Sequence, residues 1–383
     1  DEEPGKILHE FRYGEMARLG EVPHVPYYGT VDATPLFAWL AAETCLWTCD
    51  VALYQAIAPH VRRAFEWIDQ YGDVDGDGLV EYSTVTTGAG AISHKIWKDS
   101  WDSLHYPDGR PGIGLITPVE VQGYVYAAYR KWAKTAALHG DAAWATELEA
   151  KADAVQAGVE RRFWMEAESC YAQALGPDKD QIGAVSSNSA QLLMTGLPSP
   201  ERAARMSRRF MEPDMLTGWG LRTLSESMPS FNPMSYHNGS IWPHDNSLAG
   251  AGAYACGQNE LGERIAEGLL EAAAIDPILR LPELYCGFRR DDAVNDAPVP
   301  YPVSCSPQAW ASGALPLMVR AMAGLEADPV NGRLLVKPNL PEWLNRIEFR
   351  NLRVLGQQGS LLIERTPGDA DSYRVTSQQL MFE

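Results

Sequence analysis

The sequence contains no lysine- and arginine-rich run, no zinc-finger spacing and no apolar run of about 18 residues. Its formal net charge of −18 over 383 residues would repel a phosphate backbone, so nucleic acid is not an expected partner. It also lacks a secretory apolar segment, and we expect no membrane span and a cytoplasmic location. Because the sequence begins at Asp1 without a methionine, we expect further residues upstream.

Cysteine is scarce and widely spaced. Only six cysteines occur, at positions 45, 49, 170, 256, 286 and 305, and none forms a C-x-x-C pair. A chain of this length does not need disulfides for stability, so we predict mostly buried free thiols.

Aromatic residues, in contrast, are abundant. The hydrophobic fraction of 45% and the charged fraction of 21% are ordinary for a globular protein, but the chain has 12 tryptophans and 16 tyrosines. Aromatic residues are core residues by default. In loops they also bind flat neutral ligands such as sugars.

The apolar periodicity is that of a helical protein. It predicts helices over 36–48, 51–71, 118–139, 142–164, 188–195, 200–211, 246–256, 260–274 and 308–323. Paired helices can form an open solenoid or a closed ring, but no fixed repeat is present and long aromatic loops alternate with tight ones. We therefore predict an all-α (α/α)6 toroid over residues 1–325, whose first helices this sequence can lack. Short strands over 333–336, 346–349, 359–364 and 372–375 predict a small β-rich segment over residues 326–383.

Two carboxylates lie beside tryptophans in Trp97-Lys-Asp99-Ser-Trp101-Asp102. Apolar aromatic surroundings raise the pKa of a carboxyl group toward the range useful for a general acid. Solvated or helix-capping aspartates in an amphipathic segment are the alternative interpretation.

Two further loops carry candidate residues. The loop over 235–246 is rich in hydrogen-bonding side chains, and in the loop over 280–288 Glu283 stands alone among apolar and aromatic neighbours. Hydrolysis of a glycoside needs one carboxylic acid and one carboxylate on opposite sides of the sugar. We predict Asp99 and Glu283 as that pair, about 6.5–9.5 Å apart if the configuration is inverted and about 5 Å apart if it is retained.

Six short motifs occur together in order. They are Tyr28-Gly-Thr-Val-Asp32, Trp97-Lys-Asp99-Ser, Pro118-Val-Glu120-Val-Gln122, Tyr236-His-Asn-Gly-Ser-Ile-Trp242-Pro, Leu281-Pro-Glu283 and Ser304-Cys-Ser-Pro-Gln308-Ala-Trp310. From about residue 7 to 325 the chain thereby resembles the bacterial amylo-α-1,6-glucosidase, or glycogen-debranching, glucosidase family. The resemblance implies an (α/α)6 barrel that hydrolyses α-glucosidic bonds with inversion.

The resemblance also implies roles for individual residues. Asp99 matches the general acid, Glu283 the general base, and Asp32 a residue that holds sugar hydroxyls in the cleavage subsite. We expect further contacts with an oligosaccharide or small glycoside from Tyr28, Trp97, Lys98, Trp101, Glu120, Gln122, His237, Asn238, Trp242 and Gln308.

Several alternatives remain open. The sequence His94-Lys95-Ile96 replaces the Asn-Gln-Gly-like turn expected before Trp97, which changes the mouth of the pocket. Related toroid families cleave trehalose, short α-glucosides or α-mannosides, and one of their patterns would shift the acid from Asp99 to Asp102. A non-catalytic carbohydrate-binding protein on the same fold is an alternative of another class, and a helical-repeat interaction protein is a third.

The segment over 73–81 has the Asp-x-Asp-x-Asp-Gly spacing of a calcium-binding loop. Asp73, Asp75, Asp77 and Glu81 are the predicted ligands, although Thr84 stands where such a loop carries its bidentate glutamate. An ordinary Asp/Gly turn is the alternative. We expect no other cofactor.

Overall fold

Most of the helices predicted from periodicity are present. The computed structural model describes residues 2–22, 24–86, 90–291, 294, 296–369 and 372–383. Its α-helices are α1 Glu15–Arg18, α2 Ala33–Thr48, α3 Val51–Trp67, α4 Val119–Leu138, α5 Ala142–Arg162, α6 Leu192–Thr195, α7 Pro200–Phe210, α8 Pro243–Ala255, α9 Asn259–Ile275 and α10 Ala309–Met322. A π-helical turn, Ile68–Gly72, continues α3, and a 3-10 turn, Ser189–Gln191, precedes α6.

Side-chain caps set several helix starts. Asp50 accepts hydrogen bonds from the backbone N–H groups of Ala52 and Leu53 at 2.8 and 3.0 Å at the start of α3. Ser199 caps α7, with Pro200 in its first turn, and Gln308 caps α10. These side chains satisfy N–H groups that have no partner inside the helix.

Two helices form the centre of the helical body. Helix α4 packs against α2, α5 and α6, and helix α8 packs against α6, α9 and α10. The indole N–H of Trp132 in α4 donates to the carbonyl of Ala38 in α2 at 2.6 Å. No described helix is both long and apolar enough to cross a membrane.

Short strands interrupt the helical part where the sequence predicts loops. They are β1 Tyr82–Ser83, β2 Leu115–Pro118, β3 Trp164–Met165, β4 Cys170–Tyr171, β5 Ala174–Leu175 and β6 Gln181–Ile182. Strands β1, β2, β5 and β6 form one antiparallel sheet in that order. Elements of two to four residues are too short for an alternating pattern to stand out in the sequence.

The C-terminal strands lie in the predicted β-rich segment. They are β7 Leu325–Asp328, β8 Arg333–Val336, β9 Arg346–Val354, β10 Gln357–Arg365 and β11 Tyr373–Gln378. Strands β7 and β8 pair with each other, and β10 lies between β9 and β11. Helices contain 39% of the residues and strands 16%, so the chain is predominantly helical with small sheets rather than all-α.

Glycine allows α8 to pack closely on α6. Gly252 of α8 is buried, and a β-carbon there would overlap the backbone of Leu193 and Met194. We expect Gly252→Ala to lower the free energy of unfolding by about 1–3 kcal/mol, because the backbone of α6 cannot yield like a flexible side chain. Thermal and urea unfolding followed by circular dichroism would measure the change.

Gly313 of α10 provides the matched control. It is exposed, and a β-carbon there would meet no atom within 4 Å. Gly313→Ala should therefore stabilise the protein by roughly 0.5–1 kcal/mol, since alanine is the better helix former. Equal effects of the two substitutions would contradict the close packing of α8 on α6.

Candidate active site

Three loops that are distant in sequence meet in one aromatic cluster. We name them the acid loop (residues 94–105), the aromatic loop (residues 235–242) and the Glu283 loop (residues 280–288). Trp97, Trp242 and Leu284, one from each loop, form a buried apolar cluster that is separate from the main core. Tyr236 and Tyr301 pack against it. The site is therefore lined by all three segments to which the sequence assigned chemistry.

Hydrogen bonds fix the loops to one another. The hydroxyl oxygen of Ser100 and Nδ1 of His237 are 2.8 Å apart, which joins the acid loop to the aromatic loop. The aromatic and Glu283 loops are joined by reciprocal backbone hydrogen bonds between Ile241 and Tyr285, at 2.9 and 2.8 Å. Their relative placement thus depends on several independent contacts.

The carboxylate of Glu283 is buried and receives three hydrogen bonds. The Tyr236 hydroxyl donates to Oε1 at 2.7 Å, the Gln308 amide donates to the same oxygen at 3.2 Å, and the backbone N–H of Cys305 donates to Oε2 at 3.1 Å. Donors of this kind favour the ionised form of a carboxyl group. This environment suits a base.

Asp99 lies in a different environment. Burial, with smaller contributions from the charges of Glu10 and Glu283, raises the pKa of Asp99 to about 6. The negative charges of Glu283 and Asp99 both add to the effect of burial in raising the pKa of Tyr236. Asp99 and Glu283 therefore both lie near Tyr236, and the carboxyl group with the raised pKa suits an acid.

Asp32 adds a third carboxyl group beside the acid loop. Its segment is joined to that loop by the backbone N–H of Val31, which donates to the carbonyl of Lys95 at 2.9 Å. The Asp32 carboxylate accepts from the N–H of Trp97, although burial still raises the pKa of Asp32 to about 6. Tyr28, in the same segment, is half-buried.

The side chains of Lys98 and Gln122 form hydrogen bonds with other parts of the protein. The Lys98 ammonium is fully buried and donates to the Asn188 side-chain oxygen at 2.6 Å and to the Thr223 carbonyl at 2.8 Å. Gln122 bonds the backbone of Val80 through both its oxygen and its nitrogen. The predicted contact of these two side chains with substrate has no support in this geometry.

Glu120 belongs to the same buried network. The Asn188 amide donates to Oε1 of Glu120 at 2.9 Å, while Oε2 has no hydrogen-bond partner among the described residues. Burial raises the pKa of Glu120 to about 7 and lowers that of Lys98 to about 8. A buried oxygen without a partner is costly unless a ligand or water satisfies it.

Two histidines and a tryptophan supply further unpartnered polar atoms. Nε2 of His237, Nδ1 of His244 and Nε1 of Trp97 are buried, and no described residue bonds them. His244 stacks on Trp310 at 3.8 Å and meets the edge of Trp97 at 4.8 Å. Burial lowers the pKa of His244 to about 3, so its ring is neutral. Such atoms between aromatic faces suit a hydroxylated ring.

The remaining predicted residues differ in exposure. Trp242 is buried, whereas Trp101 is 76% exposed and so provides no apolar enclosure for Asp102. The Asn238 amide donates to the backbone carbonyl of Asp102 at 2.8 Å. Asp99 is therefore better placed than Asp102 to act as the acid. Sequence reasoning missed Tyr236, His244 and the N–H of Cys305 as partners, because their roles arise only from contacts between loops.

A lysine forms ion pairs with the acidic residues of the predicted calcium site. Asp73, Asp75 and Glu81 have oxygen atoms within 4.8 Å of one another. The Lys179 ammonium lies 2.7 Å from Asp75 and 2.8 Å from Asp77, and it also bonds Glu81. Lys179 thus neutralises part of the charge of the predicted ligands, and calcium binding here stays a prediction.

Comparison with known proteins identifies the type of domain. A family model described as the mannosylglycerate hydrolase MGH1-like glycoside hydrolase domain matches residues 12–278. The match includes Asp32 and Asp99 and ends five residues before Glu283. No curated protein matches the sequence.

Solved structures share the fold. A GH63 mannosylglycerate hydrolase from Thermus thermophilus, in complex with glucose, has 16% identity and a TM-score of 0.60, with 82% of this chain and 84% of that chain covered. A sialidase has 14% identity and a TM-score of 0.68, and a GH78 rhamnosidase from Bacillus sp. GL1 has 14% identity and a TM-score of 0.64. The matches cover 89% and 96% of this chain but only 31% and 35% of those two chains. At these identities the likeness concerns the fold alone.

The acidic turn provides a test of stability. Replacing Lys179 with Met would leave the buried Glu81 without its cation, and we expect a loss of about 2 kcal/mol. This is less than the ~3–5 kcal/mol of a fully buried pair because Lys179 is partly exposed. Thermal unfolding would be measured with 1 mM EDTA or a few mM Ca²⁺, values on the order of those used for weak calcium sites.

Ca²⁺ should restore part of the loss in Lys179→Met and leave the wild type unchanged. Lys134→Met, on the exposed face of α4, is the control and should change stability little. A wild type that loses stability in EDTA would instead show that calcium is bound despite Lys179.

Proposed function

The chain belongs to the family of mannosylglycerate hydrolase MGH1-like glycoside hydrolase domains, and we propose that it hydrolyses an α-glycosidic bond with inversion of configuration. Asp99 donates its proton to the glycosidic oxygen as the bond from that oxygen to the sugar carbon breaks. Glu283 removes a proton from the water whose oxygen bonds to the same carbon. After the step Asp99 is ionised and Glu283 is protonated. Exchange of protons with solvent restores both carboxyl groups to their starting protonation states.

One observation carries this proposal, namely the unlike environments of two carboxyl groups that both lie near Tyr236. Three donors bond Glu283, whereas burial and two negative neighbours raise the pKa of Asp99 to about 6. An inverting glycosidase needs this difference, because one carboxyl group must hold a proton while the other must be ready to take one.

The unpartnered buried atoms support a sugar as the ligand. Oε2 of Glu120, Nε2 of His237 and Nδ1 of His244 offer acceptors and donors to hydroxyl groups. Asp32 adds a carboxylate beside the acid loop, and Trp97 and Trp242 add apolar faces. We propose that these residues hold the sugar whose bond is cleaved.

Two sugars are candidates. The resemblance of the motifs favours an α-glucoside, as in amylo-α-1,6-glucosidases, while the family model and the Thermus thermophilus structure are described as mannosylglycerate hydrolases. The α-mannoside is at least as well supported as the α-glucoside. Glycogen debranching is the more specific of the proposals and rests on the motifs alone.

We also propose that the helical body has the arrangement of an (α/α)6 toroid. Helices α2, α4, α6, α8 and α10 contact one another in sequence, as inner helices of a ring do. Helices α3, α5 and α9 pack against α2, α4 and α8 respectively and would belong to the outer layer. A toroid would bring the loops that precede α4, α8 and α10 to one end, and the three site loops are among these connections.

The test is release of free sugar from a panel of methyl α-mannoside, mannosylglycerate, isomaltose, panose and trehalose. We expect release from at least one substrate, with the β-anomer of the product appearing first in the NMR spectrum. Glu283→Gln should lower kcat by about 10³-fold or more while the affinity for sugar changes little. Gln258→Ala, at the remote start of α9, is a control that should retain activity.

Two outcomes would contradict the proposal. Binding of a sugar in calorimetry without release from any substrate would favour a non-catalytic carbohydrate-binding protein. Initial formation of the α-anomer of the sugar whose anomeric carbon is attacked, as read with methyl α-mannoside or mannosylglycerate, would indicate retention and thus a covalent intermediate.

The pH dependence follows from the raised pKa of Asp99. The acid acts in its protonated form, and the protonated fraction falls as the pH rises through about 6. We expect kcat/KM to fall about tenfold per pH unit above that point. Steady-state rates measured between pH 4 and 8, about two pH units on either side of that pKa, would define this fall.

The variant Glu10→Gln tests whether Asp99 is the group whose titration causes the fall of kcat/KM at high pH. Glu10 contributes to the raised pKa of Asp99, whereas it is not among the causes of the raised pKa of Asp32. The variant should therefore move the alkaline limb to lower pH. A limb at the same pH in both proteins would assign it to another group, such as Asp32 or Glu120.

A further inference from the structure

Asp99 lies between two residues that are anchored to different parts of the protein. On one side, the buried ammonium of Lys98 bonds the Asn188 side chain at 2.6 Å and the Thr223 carbonyl at 2.8 Å. On the other side, the hydroxyl of Ser100 bonds Nδ1 of His237 at 2.8 Å. The backbone on either side of the aspartate is thus held by side chains that bond different segments of the chain.

The anchors of Lys98 are themselves fixed. Asn188 bonds Glu120 at 2.9 Å, and Thr223 donates a backbone hydrogen bond to Ser240 at 2.8 Å. The Ser103 hydroxyl additionally bonds the carbonyl of Lys98. Because the ammonium is completely buried, its release would leave an unpaired charge in the protein interior, which is strongly unfavourable. The backbone at Lys98 therefore has little freedom to move.

A general acid benefits from being held in this way. Strong donors to its carboxyl group would favour the ionised form and remove the proton that it has to give. Its orientation must therefore come mainly from the backbone that carries it. Displacement of a reacting group by about 1 Å can cost on the order of 10²-fold in rate.

We propose that Lys98 and Ser100 are positioning residues that hold Asp99 in reach of the leaving oxygen. This inference rests on the proposed role of Asp99 as general acid. It assigns to Lys98 a task other than contact with substrate, and to Ser100 a task that its small polar side chain does not reveal in the sequence. Their contribution is specific to the step in which the glycosidic oxygen receives its proton.

The dependence on the leaving group tests this assignment. A methyl glycoside expels a basic alkoxide and needs the acid, whereas a glycosyl fluoride expels a weakly basic ion and needs it little. Both substrates carry the sugar that the wild type hydrolyses. We expect Ser100→Ala to lower kcat/KM by about 10–100-fold on the methyl glycoside and by less than about 3-fold on the fluoride. Ser100→Thr, which retains a hydroxyl, should recover most of the activity.

Lys98→Met removes the hydrogen bonds of Lys98 to Asn188 and Thr223. If Lys98→Met does not fold, Ser100→Ala still tests the inference. Thermal unfolding verifies that each variant is folded. Ser207→Ala is the matched control, since Ser207 is also buried and its hydroxyl bonds the Ala203 carbonyl at 2.9 Å, but it lies in α7. It should leave both rates unchanged.

Asp99→Asn separates the two levels of inference. If it loses about 10²–10⁴-fold on the methyl glycoside and little on the fluoride, Asp99 is the acid. A Ser100→Ala variant that then loses equally on both substrates, or on neither, would overturn the positioning role alone. An Asp99→Asn variant without any dependence on the leaving group would instead overturn the proposed function.

Discussion

The enclosure of two carboxyl groups beside one aromatic cluster is the constraint on which the proposed site depends. Low exposure is common to both groups, so it cannot by itself make one group an acid and another a base. The difference comes from hydrogen-bond donors, which Tyr236, Gln308 and the Cys305 N–H supply to Glu283. Asp99 is instead surrounded by the negative charges of Glu10 and Glu283. The polar partners of the loops thus matter as much as their aromatic residues.

Burial also affects the charged residues that surround Lys98. Glu120 and Asp245 are fully enclosed, and the Lys98 ammonium is the positive group whose charge acts on both. Burial, assisted by the same ammonium, lowers the pKa values of His237 and His244, so both rings remain neutral. Neutral imidazoles can each donate and accept a hydrogen bond, which suits sugar hydroxyls better than an additional charge. Lys98 therefore links the electrostatics of the site to the position of the acid loop.

Local patterns predicted the helices well and the side-chain partners poorly. Periodicity and caps depend on residues close in sequence, and the predicted 200–211 and observed Pro200–Phe210 differ at one end by a single residue. The burial of Lys98, the pairing of Lys179 with the acidic turn and the bond from Tyr236 to Glu283 join residues 47 to 125 positions apart. No local pattern encodes such contacts. The short strands between helices were missed because two residues cannot display a period.

The motifs indicated glycoside hydrolysis more securely than the identity of the sugar that is cleaved. The structure gives a physical reason for this difference. Glu283 and Trp97 are buried and Asp99 is half-buried, and the proposed reaction would determine these residue types. The outer edge of the acid loop is different, since Trp101 is 76% exposed there and His94 to Ile96 replace the expected turn. Because Trp101 is exposed, it is not enclosed together with the carboxyl groups and can vary without disturbing their surroundings. We therefore expect hydrolases with similar inner residues to differ in sugar and linkage at this edge, so that motifs typical of one family can occur in a chain that belongs to another.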